Sequence, residues 1–228
     1  MKDIYKTTQQ TFSSKQLLQG LKEMRTRLEA ANKAKTEPIA IVGMGCRFPG
    51  GANDQSTYWH LLHNGIDAIA QVPPQRWDVN AYYDRDPETP GKSYTKEGGF
   101  ITDVDLFDPQ FFGISPREAV KLDPQYRLLL EVTWEALENA GQTWQKLRNS
   151  PTGVFMGICT DDYAQLSMQL NQDAIDAYSG FGTLRCMGVG RISYLLGLQG
   201  PNIQIDTACS TSLVAVHMAC QSLRSGEC

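Results

Sequence analysis

The chain has 228 residues, a formal net charge of −4 and 41% hydrophobic residues, the balance of a globular protein long enough to bury a core. This mildly acidic charge argues against nucleic acid as a partner, and no segment reaches the roughly eighteen apolar residues of a membrane-spanning helix. The amino terminus lacks the apolar stretch of a signal peptide, so six widely spaced cysteines predict reduced thiols in the cytoplasm.

Charge and helix signals divide the chain near residue 37. Residues 1–37 carry eight basic and four acidic side chains, a balance of +4, whereas residues 38–228 carry thirteen and twenty-one, a balance of −8. Within the first segment, Ser13 and Gln16 have the spacing of a capping box, which begins a helix. We therefore predict a helical leader and linker over residues 1–37, followed by a separate domain over residues 38–228.

The leader helix carries a narrow apolar stripe. Its members follow at alternating spacings of four and three residues and are Leu17, Leu21, Met24, Leu28 and Ala31. Phe12 is placed to pack on Leu17 as a hydrophobic staple, and Glu23–Arg27 and Glu29–Lys33 have the spacing of ion pairs within a helix. Two heptads are too few for a stable isolated coiled coil, so the stripe predicts pairing with a second copy or docking on a partner. A solvated surface helix is the alternative.

After residue 38 the pattern is that of an α/β protein. Three short apolar segments predict buried strands, and they lie at residues 39–42, 153–157 and 203–205. Ser115 and Asp123 each precede a proline and predict the first turns of two helices. Residues 210–223 are apolar nearly all round, which predicts a helix that is buried on several sides.

The strongest candidate for chemistry is Cys209, which lies where the strand at residues 203–205 passes into the following helix. A helix N-terminus offers unpaired N–H groups and the positive end of the helix dipole, and both favour thiolate over thiol. Cys209 is therefore predicted to be a nucleophile, and nearby N–H groups can stabilise an oxyanion on an attacked thioester. The alternative is a small, buried apolar residue without chemistry.

The three histidines do not complete a site around Cys209. His217 follows it by eight residues, about 12 Å along the helix axis and too far for a hydrogen bond. His60 and His63 have a spacing that can bind a metal, but no third ligand accompanies them, so we predict no metal site.

The chain also contains two glycine-rich segments, at residues 43–51 and 188–191. Both lack the spacing of dinucleotide-binding and P-loop motifs, so we interpret their glycines as tight turns. No directly bound cofactor is predicted.

Eight motifs occur together along the chain, at residues 37–51, 98–100, 103–108, 111–119, 123–125, 134–138, 190–194 and 206–210. The last reads DTACS and contains Cys209. In these motifs the chain resembles the β-ketoacyl synthase, or ketosynthase, domain of a bacterial modular type I polyketide synthase. The matching part corresponds to the N-terminal half of that domain.

The resemblance implies a thiolase-like fold of α-β-α-β-α layers and an intimate homodimer. In this family the signature cysteine, here Cys209, receives an acyl chain from the phosphopantetheine arm of an acyl carrier protein, with its own N–H in the oxyanion hole. A second carrier brings malonyl or a substituted malonyl unit, whose decarboxylation yields the carbon that attacks the thioester. Relatives that only decarboxylate carry glutamine at this position, so the cysteine implies a condensing acyltransferase.

The family's two catalytic histidines and a lysine lie downstream of the cysteine, and His60, His63 and His217 match neither histidine. The resemblance thus implies the N-terminal half of a ketosynthase, whose leader docks the tail of the upstream synthase subunit. The +4 charge of residues 1–37 suggests that this tail is acidic. The alternative is a non-catalytic fragment that only docks or dimerises. A cysteine hydrolase is disfavoured because no histidine is positioned to serve Cys209.

Overall fold

The computed structural model of the chain describes residues 13–169 and 175–228. The chain forms two compact units, one up to Ala40 and the other from Ile41 to Cys228. Within the described residues, no helix is both long and apolar enough to span a membrane.

The first unit contains helix α1 (Ser14–Thr36), which begins at the predicted capping box. The Gln16 N–H donates to Ser13 Oγ at 3.3 Å, and the Ser13 N–H donates to Gln16 Oε1 at 2.9 Å. These two bonds satisfy N–H groups that a helix start leaves without partners, and they confirm the predicted box. Phe12, the predicted staple residue, lies outside the described residues.

The apolar stripe of α1 is open to solvent. More than half of each side chain is exposed at Leu17, Leu21, Met24 and Leu28. The side chain of Ala31 lies outside the described part. Glu29 accepts a hydrogen bond from Arg25 at 2.8 Å instead of from Lys33. Glu23 likewise accepts from the preceding turn, so in the described helix neither this residue nor Glu29 forms its predicted ion pair.

The second unit combines short strands with helices. Its helices are α2 (Gln55–His63), α3 (Val79–Tyr82), α4 (Pro116–Lys121), α5 (Pro124–Asn139), α6 (Trp144–Leu147), α7 (Asp162–Met168), α8 (Ala177–Phe181), α9 (Arg185–Leu196) and α10 (Thr211–Ser225). Its strands are β1 (Ile69–Gln71), β2 (Glu97–Gly99), β3 (Val154–Gly157) and β4 (Asn202–Ile205). Strands β1 and β2 pair antiparallel, and β3 and β4 pair parallel. Strands β3 and β4 confirm two of the three predicted strands.

Capping residues explain where α4 and α5 begin. Ser115 Oγ accepts the Glu118 N–H at 3.2 Å, and an Asp123 carboxylate oxygen accepts the Gln125 N–H at 2.8 Å. Proline occupies the first turn of both helices, where a missing N–H costs nothing. Both predicted helix starts are therefore confirmed.

The core lies where α5 and α9 pack together, with β3 against α9. Its most deeply buried large side chains are Leu122, Tyr126, Val189 and Ile192. The Tyr126 hydroxyl donates to the Thr183 carbonyl at 2.9 Å, and burial raises the pKa of Tyr126 to about 12. Gly188 lies inside α9 against the tyrosine ring, because a Cβ there would meet the Tyr126 Cδ1 at 2.5 Å. Gly188 is thus a packing residue, and its interpretation as a turn is wrong.

The predicted strand at residues 39–42 is wrong. This segment is not a strand, and its side chains are exposed, with Ile41 82% and Val42 69% accessible. A strand needs a neighbouring strand for its hydrogen bonds, and none of the described residues pairs with this segment.

The chain following this segment packs on α5. A Cβ on Gly43 would lie 2.3 Å from the Ala136 carbonyl oxygen, and one on Gly45 would lie 2.6 Å from the Val132 carbonyl oxygen. Neither glycine adopts a positive φ, so both serve close packing and their predicted role in a tight turn is wrong. In the same motif, Gly50 and Gly51 do adopt positive φ values of 78° and 76°, as turn glycines do.

The helix predicted at residues 210–223 is present as α10, but it is less buried than its composition predicts. Strand β3 covers one face, where Thr211, Ala215 and Ser222 are buried. Leu213 and Val216 remain 75% and 60% exposed in the structure. Because α10 is apolar on nearly all sides, its sequence did not indicate which face would be buried. Burial depends on what packs against the helix.

Candidate functional site

The candidate site is the turn that joins β4 to α10. Residues Ala208–Ser210 form one turn of 3₁₀ helix, and Ala208 has a φ of +52°, a left-handed conformation that residues other than glycine rarely adopt. Cys209 follows directly and is exposed. Its exposure does not fit the alternative of a buried apolar cysteine and leaves the thiol accessible to a substrate.

An acidic side chain fixes the start of the turn. Asp206 Oδ1 accepts the Ala208 N–H at 3.1 Å, and Asp206 Oδ2 accepts from Arg185 Nη1 at 2.6 Å. Arg185 also lies 3.7 Å from an Asp161 carboxylate oxygen. The bond from the Ala208 N–H, together with the nearby guanidinium, holds the pKa of Asp206 below its usual range. The carboxylate therefore stays charged and keeps the backbone before Cys209 in place.

Backbone donors lie beside the candidate nucleophile. The Ser210 N–H donates to the Thr207 carbonyl at 3.3 Å, and the Ser210 hydroxyl donates to the same carbonyl at 2.9 Å. In contrast, the Cys209 N–H finds no acceptor within the described part of the chain. Helix α10 begins two residues after Cys209 and is 15 residues long, so the positive end of its dipole is at the turn. A free N–H and a helix dipole both favour an anion at this position.

Comparison with known proteins identifies the family of the chain. Residues 36–228 match the family model described as the N-terminal domain of β-ketoacyl synthase. The chain belongs to the β-ketoacyl synthase family. The resemblance read from the sequence motifs is therefore confirmed.

The relatives of this ketosynthase chain are components of large synthases. It is 56% identical over 191 residues to one subunit of the phenolphthiocerol/phthiocerol polyketide synthase of Mycobacterium tuberculosis, covering 84% of this chain and 10% of that protein. It is 54% identical over 194 residues to another subunit of the same synthase, covering 85% and 12%. The chain thus spans about a tenth of the length of these curated relatives.

Solved ketosynthases share the fold. The oxazolomycin ketosynthase domain of Streptomyces albus matches with a TM-score of 0.74 and 38% identity, over 82% of this chain and 32% of that one. The ketosynthase from module 6 of the bacillaene synthase of Bacillus subtilis matches with a TM-score of 0.70 and 40% identity, over 82% and 30%. The predicted thiolase-like α/β fold is therefore confirmed, with the N-terminal part of the domain represented.

The ketosynthase chain brings no histidine into hydrogen-bond contact with Cys209 among its described residues. His217 lies on α10 and is exposed, as are His60 and His63 on α2. The ring of His63 stacks on Trp59 at 5.8 Å. Nowhere in residues 13–169 and 175–228 do three His, Cys, Asp or Glu side chains form a group that could hold a metal ion.

Sequence reasoning missed the side chains that support the turn. An aspartate that accepts the N–H two residues later is the signature of an Asx turn, so the spacing of Asp206 and Ala208 carried a usable signal. Arg185 carried none, because it lies 21 positions before Asp206 and meets it only through the fold. Cys159 is also close, with its sulfur 3.7 Å from the Ala208 carbonyl oxygen, and nothing local in the sequence indicated this contact.

Proposed function

We propose that the chain forms part of a polyketide synthase ketosynthase, in which Cys209 accepts an acyl chain from the phosphopantetheine arm of an acyl carrier protein. The observation that supports this role best is the exposed Cys209, with a free N–H, at the start of α10. Cys209 lies within the DTACS motif, and the chain matches the β-ketoacyl synthase family model and subunits of polyketide synthases. The acyl-enzyme then undergoes decarboxylative condensation with a malonyl or substituted malonyl unit on a second carrier.

The acyl transfer step uses groups of the turn. The Cys209 thiolate attacks the thioester carbonyl carbon and forms a new carbon–sulfur bond. The tetrahedral intermediate carries an oxyanion, and in this proposal the Cys209 N–H donates a hydrogen bond to it. Collapse of the intermediate breaks the carbon–sulfur bond to pantetheine, whose thiolate leaves and takes a proton. Decarboxylation and condensation need the two family histidines, which His60, His63 and His217 do not match.

Mass spectrometry tests this role directly. The protein is incubated with an acyl-pantetheine thioester, and the mass and position of the adduct are determined. We expect one acyl group on Cys209 and none in Cys209→Ala. The matched control is Cys186→Ala, which removes another exposed thiol and should still be acylated. An unmodified protein without an adduct would contradict the proposal and favour the non-catalytic fragment, as would an adduct that persists in Cys209→Ala.

We further propose that residues 1–37 form a docking segment, and that α1 pairs with a second copy in a cytoplasmic homodimer. The exposed stripe of α1 supports pairing, since water contact with large apolar side chains is unfavourable. The net charge of +4 supports binding of an acidic tail from the upstream synthase polypeptide.

Analytical ultracentrifugation of the full chain tests the pairing. Leu21→Asp places a charge in the middle of the stripe and is expected to shift the protein towards monomer. Gln19→Asp places the same charge on the same helix outside the stripe and should leave the association unchanged. Equal association of both variants and the unmodified chain would contradict pairing through α1.

Binding of the acidic tail to residues 1–37 should weaken as the salt concentration is raised, because salt screens the attraction between opposite charges. Binding that does not depend on salt would contradict an electrostatic contribution to docking.

A further inference from the structure

Thr211, the first residue of α10, stands next to the candidate nucleophile but is turned inward. Only 4% of the residue is exposed. Its Oγ1 accepts the Thr207 N–H at 2.8 Å, which links the helix start back across the turn. The same oxygen lies 3.5 Å from the sulfur of Cys159, just beyond the end of β3.

The Cys159 thiol continues this set of bonds. Its sulfur lies 3.7 Å from the Ala208 carbonyl oxygen, which can only accept. The Cys159 S–H can donate to the Ala208 carbonyl or to the Asp206 carboxylate, and the Thr211 O–H can donate to the Cys159 sulfur. One arrangement of hydrogens thus satisfies three bonds, from the Thr207 N–H through Thr211 and Cys159 to the Ala208 carbonyl. The chain of bonds begins and ends on the two backbone residues that precede Cys209.

These bonds act on a residue whose conformation needs support. Ala208 has a φ of +52°, and the left-handed region costs an L-residue with a Cβ about 1–2 kcal/mol. Its N–H is held by Asp206, and its carbonyl accepts the Thr211 backbone N–H and also lies 3.7 Å from the Cys159 sulfur, so both sides of the residue are bonded. Relaxation of Ala208 to a negative φ would rotate the peptide that carries the Cys209 N–H.

We propose that Thr211 is a positioning residue for acyl transfer, whose hydroxyl keeps Ala208 left-handed so that the Cys209 sulfur and N–H address the same thioester carbonyl. The inference rests on the proposed role of Cys209 as acyl acceptor. It assigns Thr211 an effect on the relative placement of nucleophile and oxyanion donor. Reactions that need only the sulfur should depend on Thr211 much less than reactions that need both groups.

Two reactions of Cys209 separate these requirements. Acylation by an acyl-pantetheine thioester passes through an oxyanion, whereas alkylation by iodoacetamide needs only an accessible thiolate. Thr211→Val keeps the shape of the side chain and removes its hydroxyl. We expect it to slow acylation at least about 10-fold, since a misplacement of about 1 Å can cost about 100-fold. Alkylation should change less than about threefold, because it follows thiolate content and access.

Thr211→Ser keeps the hydroxyl and should acylate within about threefold of the unmodified protein, since its oxygen can make the same bonds. Thr133→Val makes the matched change in α5 and should leave both rates unchanged. Equal slowing of acylation and alkylation in Thr211→Val, or no slowing of either, would overturn the positioning role while leaving Cys209 as the acceptor. If the unmodified protein is alkylated but never acylated, the proposed function fails and this inference fails with it.

Discussion

Gly157, the last residue of β3, should not tolerate a side chain because Thr211 occupies the space beside it. A Cβ built on Gly157 would lie 2.1 Å from Thr211 Cγ2 and 3.2 Å from Thr211 Cβ. Carbon atoms pack at about 3.5–4.0 Å, so Gly157→Ala requires β3 and α10 to separate by about 1.4 Å or more at this point. Overpacking of this kind costs about 1–3 kcal/mol.

Urea unfolding measures this cost. With a slope of about 2 kcal/mol per molar urea, a loss of about 2 kcal/mol lowers the midpoint by about 1 M. Acylation of Cys209 should slow as well, because Thr211 must move. The severe part of the clash involves the Thr211 methyl group, which Thr211→Ser removes, and the approach of 3.2 Å to the Thr211 Cβ remains. The double variant Gly157→Ala/Thr211→Ser should therefore regain most of the lost stability, with a coupling of about 1 kcal/mol or more between the two positions.

A glycine in open space is the control for this experiment. A Cβ on Gly180 in α8 would meet nothing within 4 Å, so Gly180→Ala should be neutral or stabilise the protein by up to about 1 kcal/mol. The reasoning from the close contact is refuted if Gly157→Ala unfolds at the same urea concentration as the unmodified protein. It is also refuted if the effects of Gly157→Ala and Thr211→Ser are simply additive.

Two further predictions concern single polar groups. Tyr126→Phe leaves the Thr183 carbonyl without its buried donor and should lower the free energy of unfolding by about 1–3 kcal/mol, so an unchanged urea midpoint would contradict it. The pKa of Asp206 is lowered by the Ala208 N–H and the Arg185 guanidinium. Its stabilising contribution is thus complete above the ordinary aspartate pKa of about 3.9 and is lost as the pH falls through the lower folded value. In Asp206→Asn, the free energy of unfolding should therefore fall less than in the unmodified protein as the pH is lowered through the acid range. An identical dependence on pH in both proteins would contradict a stabilising role of the Asp206 carboxylate.

Local signals in the sequence predicted local structure well. Residues within a few positions of one another were enough to predict the capping box at Ser13 and the caps at Ser115 and Asp123. The same short-range patterns predicted strands β3 and β4. Cys209 was selected as the candidate nucleophile in the same way, because a strand, a short turn and a helix N-terminus are each visible in a few residues. The family followed from motifs distributed along the chain.

Patterns that require a partner elsewhere in the chain were less informative. An apolar segment at residues 39–42 has the composition of a strand, but its hydrogen bonds depend on a neighbour that sequence periodicity does not specify. Gly43 and Gly188 have the appearance of turn residues, yet each is a contact point for another element. A glycine that permits close approach and a glycine that permits a positive φ are identical in sequence.

The sequence by itself determined the family, the caps and the position of the candidate nucleophile, since these depend on residue type and short-range spacing. Only the tertiary structure decided how the turn at Cys209 is held. Cys159 and Thr211 are 52 positions apart, and Arg185 and Asp206 are 21 apart, yet each pair meets within hydrogen-bond distance. Such contacts arise because β3, β4, α9 and α10 pack together, and packing brings together residues whose separation along the chain carries no periodic signal.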